Sequence, residues 1–492
     1  MTLKGGLHRG IACAILLAVW AAIYLPGLGA VEIKGEEIRR IMPGITMLQT
    51  GNWIVPHYNG VAYLRKPPLV NWAIALSVKE LGARTEWTVR LPSVLAMLAM
   101  GLTMVLACGP WLGTEAALGA ALIALTCAGI VEKGRLAEIE AIYIALFGMA
   151  FSCWLGWTAM GRSRWLTWTA TGLLLGLGLL AKGPPDLAFF YAIAGFIAWQ
   201  SRRRKEVLNS GLASWAHLWG ILLMLAVFAC WCVPYYMRHT TAGAGGVWAR
   251  QMEQRVGGGS GATVFANFAR SLVNFLPWIL GLPLFWRRST LARLDARDRL
   301  LVEASRWPIV ICAFALMFIP GMLPRYTLPL VIPYALLLAL LLKTMLPPLR
   351  LPLAAGCIVG AGMLVFGLCF GRRVAAHGTA REFAAQINAV KPAETPLYIY
   401  NPGVQPEVFY IHGPVLYPDG VKVLPQDVPY LLAPASNEKS LEEHFAVSRV
   451  LAQPRDQGGK RFVLLSLEGH KHRGGRDHGP KTAAPGIESP RK

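Results

Sequence analysis

The chain has 492 residues, of which 54% are hydrophobic and only 15% are charged, and its formal net charge is +21. Soluble globular proteins carry about 25% charged residues, so this composition excludes an ordinary soluble domain. The apolar residues form runs of roughly 17–24 residues, the length that crosses a hydrocarbon core of about 30 Å. Because these runs lack the alternation of strands, they indicate membrane-spanning helices.

Eleven runs are predicted to span the membrane. The first is interpreted as a retained signal-anchor because it is longer than the apolar region of a secretory signal. One further apolar segment, residues 69–82, is only about 21 Å long as a helix and is predicted to lie in the interface. The predicted spans cover residues 11–30, 89–109, 115–133, 141–158, 165–181, 186–200, 215–233, 271–286, 307–322, 326–342 and 351–370.

The positive charge follows the loops between these runs. Four basic loops fall on the same predicted side, which the positive-inside rule assigns to the cytoplasm. Anionic membrane lipid is therefore the expected partner of the basic residues, and no nucleic-acid partner is expected. These loops contain Arg162 and Arg164; Arg202, Arg203, Arg204 and Lys205; Arg287, Arg288, Arg293, Arg297 and Arg299; and Lys343 and Arg350.

This topology predicts an all-α polytopic membrane protein with about eleven transmembrane helices and interfacial helices in residues 1–370. Residues 31–88 form the first extracytoplasmic loop. Short strand-like runs separated by Pro, Gly and Asp predict a small α/β domain over residues 371–470, also extracytoplasmic. Residues 471–492 lack periodicity and are predicted to be a disordered tail.

Charged residues concentrate at three points of the extracytoplasmic face, at residues 34–40, 63–68 and 134–140. One interpretation is ordinary solvated loop charge. The alternative is functional, because Glu36, Glu138 and Glu140 lie near span ends, where a lowered dielectric suits general-base chemistry. Lys66 precedes two prolines that fix the backbone, and a rigid cation at this depth suits a lipid phosphate.

Other cations extend this pattern. Arg255 lies in an extracytoplasmic loop and Arg325 in a tight turn, so carboxylates and phosphate-seeking cations share one membrane face. Lys182 fits two interpretations equally, a capped helix end or a functional cation. Together these residues favour group transfer from a phospholipid-like donor.

Short motifs in a fixed order extend this evidence over residues 11–345. They resemble those of the polyprenyl-phosphate-sugar-dependent GT-C glycosyltransferases, nearest to bacterial lipid A aminoarabinose transferases and, more distantly, protein O-mannosyltransferases (glycosyltransferase 39-like). The motifs are Glu36-Glu37-Ile38-Arg39, residues 47–56, Asn59-Gly60, Tyr63, Lys66-Pro67-Pro68, residues 89–93, Gly134-Arg135-Leu136 with Glu140, residues 179–184 and residues 323–329.

The resemblance implies an inverting transfer of a sugar outside the membrane. A first-loop carboxylate, Glu36 by position, deprotonates the acceptor hydroxyl, and polyprenyl phosphate leaves. The implied catalytic residues are Glu36, Glu37 and Glu140, and the implied residues for carrier phosphate and donor are Lys66, Arg255, Arg325, Tyr63, Tyr326 and Arg39.

The resemblance also implies partners and a location. The donor is a polyprenyl-phosphate sugar, the acceptor a lipid A-like glycolipid or a protein, and membrane lipid surrounds a monomer. The location is the bacterial inner membrane, with the active face and C-terminal domain periplasmic.

The chain departs from the family pattern in its acidic residues. The two family aspartates are Glu36 and Glu140, and Arg65 stands where an acidic residue often precedes Lys-Pro. Because that change removes a metal ligand, no cofactor is assigned and a divalent metal is left as an open alternative.

Two other functions compete with transfer. One is a transporter or flippase for a polyprenyl-linked lipid, which favours repeated halves and ionisable residues at mid-membrane. The other is a non-catalytic protein that only binds such a lipid. The chain has no evident repeat, and its notable charges lie at span ends.

Overall fold

The computed structural model describes residues 7–63, 66–204, 208, 210–238, 261–317, 323–403 and 405–470. The chain divides into two compact units. The first comprises Met1–Glu382 and Val404–Phe409, and the second comprises Phe383–Gly403 and Tyr410–Lys492. The predicted boundaries at residues 370 and 470 stay predictions.

The first unit is mainly helical. Its first ten helices are α1 (Arg9–Tyr24), α2 (Gly35–Thr50), α3 (Leu69–Leu81), α4 (Glu86–Leu112), α5 (Thr114–Thr126), α6 (Ala128–Gly134), α7 (Ile139–Ala159), α8 (Arg164–Ala181), α9 (Pro185–Arg203) and α10 (Trp215–Arg238). Later α-helices cover Gly261–Val273, Arg288–Leu291, Ala296–Met317, Val331–Leu342, Arg350–Val365 and Gly371–Ala376, with 3-10 helices at Trp278–Trp286 and Pro324–Leu330 and a π-helical turn at Phe366–Phe370.

Within the described residues, five helices are long and apolar enough to cross a membrane, or up to seven if each of two bent pairs counts as one span. The five are Glu86–Leu112, Ile139–Ala159, Trp215–Arg238, Pro324–Leu342 and Arg350–Ala376. The predicted number of eleven spans stays a prediction. Several long apolar helices are nevertheless present, as the composition requires.

Two of the predicted spans are bent. Residues 115–133 form α5 and α6, which meet at 70°, and residues 271–286 contain a 99° bend between two helical pieces. The first break follows from a tertiary contact, because the amides of Ala128 and Gly129 donate to the carbonyls of Leu276 and Asn274 at 2.9 and 3.2 Å. These bonds replace the helical ones, and the two breaks support each other.

The core of the first unit lies around α7. The apolar window of α7 is 94% buried, whereas those of α10 and of Arg350–Ala376 are only 22% and 11% buried. The helix α7 packs between α4 and α8. The N-terminus of α7 is therefore held by surrounding helices, which fixes Glu138 and Glu140 at that end.

Close packing of α8 on α10 depends on glycine. A Cβ atom at Gly172 would overlap the carbonyl oxygen of Gly220, and one at Gly220 would lie 2.7 Å from the carbonyl oxygen of Trp168. Small residues at such crossings allow helix backbones to approach closely. The pair therefore sets the separation of the two helices.

Replacement of Gly172 by alanine should consequently lower the stability of the folded protein by about 1–3 kcal/mol, because backbone atoms must move apart. The measurement is the thermal unfolding midpoint in detergent. Gly195→Ala on α9 is the matched control, since a Cβ there meets nothing within 4 Å. Equal midpoints for the two variants would contradict the packing account.

The first loop folds over the helices that carry the charged residues. Strands β1 (His57–Tyr58) and β2 (Val61–Ala62) pair antiparallel around Asn59 and Gly60, whose positive φ angles of 53° and 78° suit a two-residue hairpin turn. The segment predicted as an interfacial helix is α3. It packs on α2 so closely that a Cβ at Gly44 would lie 2.7 Å from the carbonyl oxygen of Asn71.

The second unit contains a five-stranded sheet in the order β4-β3-β5-β7-β6. Strands β3 and β4 are parallel, as are β3 and β5, whereas β7 runs antiparallel to β5 and β6. Buried residues such as Leu431, Phe445 and Leu465 form its core. The strands are β3 (Leu397–Ile399), β4 (Val415–Leu416), β5 (Val428–Pro434), β6 (Phe445–Ala452) and β7 (Phe462–His470), with a helix at Glu438–Glu442 and 3-10 turns at Val421–Val423 and Ala435–Asn437. The helix Thr379–Val390 and the 3-10 turn Pro406–Tyr410 each contain residues of both units.

Candidate active site

Three carboxylates from two separate segments surround one guanidinium group. Glu36 lies in the first turn of α2, Glu138 caps α7, and Glu140 lies in the first turn of α7. The Nε atom of Arg325 is 3.2 Å from Oε1 of Glu140, and its Nη1 is 3.5 Å from Oε2 of Glu138. Its Nη2 is 3.9 Å from Oε2 of Glu36. We call these four residues the Arg325 cluster.

Each carboxylate of the cluster has a further cation. Nη1 of Arg39 lies 2.8 Å from Glu36, one helical turn away. Nζ of Lys182 lies 3.3 Å from Glu140. Nζ of Lys133 lies 3.3 Å from Glu138. Each of the three carboxylates therefore has Arg325 and a second cation as partners, and buried carboxylates require such pairing.

The three carboxylates differ in their access to water. The side chains of Glu138 and Glu140 are 5% and 7% exposed, whereas that of Glu36 is 40% exposed. A general base must reach the proton that it removes. Among these three residues, only Glu36 has the exposure that such contact requires.

Burial also affects the titration of Glu138. Burial raises the pKa of the Glu138 carboxyl above its ordinary range, against the lowering effect of Lys133. The charge of Glu140 raises it further and that of Arg325 lowers it. Lys133 and Arg325 thus oppose the effect of burial on this carboxyl.

Lys182 is the buried cation whose role the sequence left open. Its side chain is 10% exposed, and its ammonium lies 4.7 Å from the ring centre of Tyr143 and 4.8 Å from that of Tyr326. The two rings attract the cation and also shield it from water. The structure thus brings the predicted Tyr326 and Lys182 together beside Glu140.

Glu37 lies next to Glu36 in sequence but in a different environment. Its side chain is fully buried, and both of its carboxylate oxygens accept from Arg90 at 2.8 Å. It also accepts from the amides of Lys34 and Ala137, each at 2.9 Å. The carboxylate is therefore enclosed by donors from α4, from the start of α2 and from the segment before α7.

Arg90 extends this connection on its other side. Its guanidinium donates to the carbonyls of Leu28 and Val31 at 2.7 and 2.8 Å and to that of Glu32 at 3.1 Å. The pair of Glu37 and Arg90 thus fixes the entry to α2 against the segment that leads to Glu138 and Glu140. It sets the distance between the two halves of the cluster.

The Gly134-Arg135-Leu136 motif has a structural role in the same region. A Cβ at Gly134 would lie 2.7 Å from the ring of Tyr24. Arg135 donates to the carbonyl of Ile23 at 2.6 Å and to that of Pro26. Burial lowers the pKa of Arg135 to about 10. The motif therefore fastens the end of α6 to α1, just ahead of Glu138.

The remaining predicted residues lie in the first loop or outside the described part. Tyr63 follows β2, and its hydroxyl accepts a hydrogen bond from Arg40 at 2.8 Å. Because Arg40 lies on α2, this bond connects the first loop to that helix. Lys66 lies in the short segment before α3. Arg255, together with Arg65, lies outside the described residues.

Two clefts border this region and share Glu132 as a lining residue. One, of about 370 Å³, is lined by Glu132, Lys133, Arg270, Val273, Asn274, Leu323, Pro324 and Arg325. The other, of about 250 Å³, is more apolar and is lined by Gly27, Leu28, Val31, Lys34, Arg90, Val131, Glu132, Arg135, Leu136, Met363 and Phe366.

The arrangement bears on the open question of a metal. Within the described ranges, no group of three or more His, Cys, Asp or Glu side chains is placed to hold a metal ion. The three carboxylates meet around a guanidinium, a set that fits cationic side chains rather than a divalent ion. We therefore assign no divalent metal to the Arg325 cluster.

Comparison with known proteins adds to this geometry. Residues 65–233 match the family model described as dolichyl-phosphate-mannose-protein mannosyltransferase. An undecaprenyl phosphate-alpha-4-amino-4-deoxy-L-arabinose arabinosyl transferase of Erwinia tasmaniensis is 28% identical, with 66% of this chain and 58% of that protein covered. The corresponding protein of Pseudomonas aeruginosa is also 28% identical, over 68% and 60%.

The fold has a close match among solved structures. The crystal structure of ArnT from Cupriavidus metallidurans bound to undecaprenyl phosphate superposes with a TM-score of 0.69, at 18% identity, over 94% of this chain and 99% of that one. The resemblance to the GT-C glycosyltransferases is confirmed. The apolar helices and these relatives together indicate a multi-pass protein of the bacterial inner membrane.

The match to the curated relatives is partial in length. The chain covers 58% of the Erwinia protein and 60% of the Pseudomonas protein. The structural similarity, at 18% identity, establishes the shared fold.

Proposed function

We propose that the chain is a membrane glycosyltransferase that moves a sugar, with inversion, from a polyprenyl-phosphate carrier to an extracytoplasmic lipid A-like glycolipid or protein. The observation that carries this proposal is the partly exposed Glu36 carboxylate beside the cations Arg39 and Arg325. A general base next to phosphate-binding cations is what displacement of a lipid phosphate requires. Names of the relatives favour undecaprenyl phosphate as carrier and aminoarabinose as sugar.

In the proposed step, Glu36 takes the proton of the acceptor hydroxyl. The hydroxyl oxygen forms a bond to the anomeric carbon while the bond from that carbon to the phosphate oxygen breaks. Polyprenyl phosphate leaves with the electron pair, and the configuration at the anomeric carbon inverts. Glu36 must then release its proton to water, which its exposure allows.

The departing phosphate needs cations that are already in place, since preorganised charge stabilises charge that develops in the transition state. Arg39, at 2.8 Å from Glu36, and Arg325, at 3.9 Å from it, are described candidates, and Lys66 and Arg255 are proposed to join them. Phosphate would compete with the carboxylates for Arg325. Binding of the donor would thereby weaken the 3.9 Å contact between Nη2 of Arg325 and Glu36, and the Glu36 carboxylate would be available as the base.

The other predicted carboxylates receive different proposed roles. Glu140 is buried between Lys182 and Arg325, so we assign it to positioning Arg325 rather than to proton transfer. Glu37 is enclosed by Arg90 and two amides, which supports a positioning role in place of the predicted catalytic one. Tyr326 supports Lys182, and Tyr63 supports Arg40.

The proposal includes the predicted topology. Eleven spans would place the Arg325 cluster and the sheet-containing unit on the periplasmic side, with the chain acting as a monomer. In that arrangement residues 1–370 form the catalytic domain, residues 371–470 an extracytoplasmic domain and residues 471–492 a tail.

A deletion strain tests the function in cells. Envelope glycolipids and glycoproteins of the deletion strain are compared by mass spectrometry with those of strains that express the wild-type chain or Glu36→Gln. We expect one glycosyl mass increment to disappear on deletion, to return with the wild type and to stay absent with Glu36→Gln. Unchanged glycolipids and glycoproteins after deletion would refute the proposal.

A further inference from the structure

A further buried carboxylate, that of Asp186, has no role in the proposed reaction. Asp186 lies in the first turn of α9, and its side chain is completely buried. Neither of its carboxylate oxygens has a hydrogen-bond partner among the described residues. Burial of a carboxylate without partners is costly, and ionisable residues in membrane segments commonly serve a function. Asp186 therefore requires an explanation.

The packing of α8 leaves room for this carboxylate. A Cβ at Gly178 would lie 2.5 Å from Oδ2 of Asp186, so a larger residue at that position would displace the side chain. Gly178 lies one turn before Lys182, whose backbone amide donates to the Gly178 carbonyl at 3.1 Å. The Asp186 carboxylate thus packs against the last turn of α8, the turn that ends at Lys182.

Tyr143 supplies a second polar group without a partner. Its side chain is buried, and its hydroxyl has no hydrogen-bond partner within the described part of the chain. The ring of the same residue lies 4.7 Å from the Lys182 ammonium. Electrostatic interactions also join Asp186 to Tyr143 and to Lys182. A carboxylate and a hydroxyl, both unpartnered, therefore lie near one buried cation.

The charges around Lys182 favour a second carboxylate. Glu140 lies 3.3 Å from Lys182 and 3.2 Å from Arg325, so one negative charge is shared by two cations. Like charges this close repel each other strongly in a buried setting. A further negative charge near Lys182 offsets that repulsion and restrains the ammonium. Asp186 is placed to supply it.

We propose that Asp186 is a positioning residue that acts through Lys182. Its carboxylate and the Tyr143 hydroxyl bind a buried water molecule, which connects them to the Lys182 ammonium. Buried waters make about three hydrogen bonds to polar groups that lack other partners, and these three groups supply them. The network holds Lys182 against Glu140, which in turn orients Arg325. The inference rests on the proposed function and deepens it.

Steady-state rates of the full chain in liposomes test the inference. The donor is undecaprenyl phosphate that carries labelled 4-amino-4-deoxy-L-arabinose, with lipid A or envelope protein as acceptor. Asp186→Asn keeps the size of the side chain and removes its charge, and Tyr143→Phe removes only the hydroxyl. Ser152→Ala is the matched control, because Ser152 is also a buried residue of α7 with an unpartnered hydroxyl. It lies about 13 Å further along the helix axis than Tyr143.

We expect Asp186→Asn and Tyr143→Phe each to lower kcat by about tenfold, with little change in KM for the donor. The double variant should be no slower than the slower single variant, because both substitutions break one network. Ser152→Ala should transfer at the wild-type rate. The thermal unfolding midpoint of Asp186→Asn should equal or exceed that of the wild type, since a buried charge is removed.

Three results would overturn the inference and leave the proposed transferase function standing. The first is a wild-type kcat in Asp186→Asn. The second is a lower unfolding midpoint for Asp186→Asn, which would assign the residue to folding. The third is multiplication of the two single losses in the double variant, because Asp186 and Tyr143 would then act independently. If the wild type transfers no sugar, the proposed function fails and this inference fails with it.

Discussion

Glu36→Gln is expected to reduce sugar transfer by about 10²–10⁴-fold, the contribution of a positioned general base. Glutamine keeps the size of the side chain and an oxygen that can accept from Arg39, but it cannot take the acceptor proton. Binding of polyprenyl phosphate should therefore be retained. The measurement is the initial rate of transfer by the purified chain in liposomes, together with the affinity for the lipid.

The control for this substitution is Glu80→Gln, since Glu80 is an exposed carboxylate at the far end of α3. It should transfer at the wild-type rate. If Glu36→Gln and Glu80→Gln are equally active, Glu36 is not the base. If Glu36→Gln loses lipid affinity instead of rate, its role is in binding.

Arg90→Met is expected to give the largest loss of stability, about 3–5 kcal/mol in the free energy of unfolding. The substitution leaves the Glu37 carboxylate buried without its cation. The carbonyls of Leu28 and Val31 also lose their donor. The measurement is unfolding in mixed micelles of increasing denaturing detergent.

A second variant separates the ion pair from the rest of the contact. Glu37→Gln combined with Arg90→Met removes the unpaired charge, so the double variant should be more stable than Arg90→Met alone. Recovery should be incomplete, because the carbonyl contacts stay lost. Arg164→Met is the control. Arg164 is the exposed first residue of α8, so this substitution should change stability little. A loss under about 1 kcal/mol for Arg90→Met would contradict the buried pair.

The sequence predicted much of what surrounds the site. Apolar runs indicated the helices, and the charged segments at residues 34–40 and 134–140 indicated where carboxylates meet. The structure does bring Glu36, Glu140 and Arg325 to one point. Charges at helix ends are a strong signal in an apolar chain, because few other positions tolerate them.

The different roles of the neighbouring residues Glu36 and Glu37 could not be predicted from the sequence. Glu36 and Glu37 are the same residue type, and a helix turns about 100° between them. Only the contact of Arg90 on α4 with Glu37 determines that Glu37 is buried and Glu36 is partly exposed. A single sequence contains no local signal for such a contact across 53 positions.

Other features had a partial signal. Pro277 and Pro283 in the segment 271–286 indicate an interrupted helix, and the structure has a bend and a 3-10 helix there. The bend at Cys127 has no such residue. It arises from hydrogen bonds that the backbone amides after Cys127 donate to carbonyls near Asn274. The same tertiary contact assembles the cleft of Lys133 and Arg270, which sequence spacing alone could not predict.

The most direct measurement follows both products of the proposed step. Purified chain in liposomes is given undecaprenyl phosphate that carries labelled 4-amino-4-deoxy-L-arabinose, with lipid A or envelope protein as acceptor. We expect label to enter an acceptor while an equal amount of undecaprenyl phosphate is released, and we expect Glu36→Gln to do neither. Equal release by the wild type and Glu36→Gln, or an intact donor with the wild type, would contradict the proposed transfer.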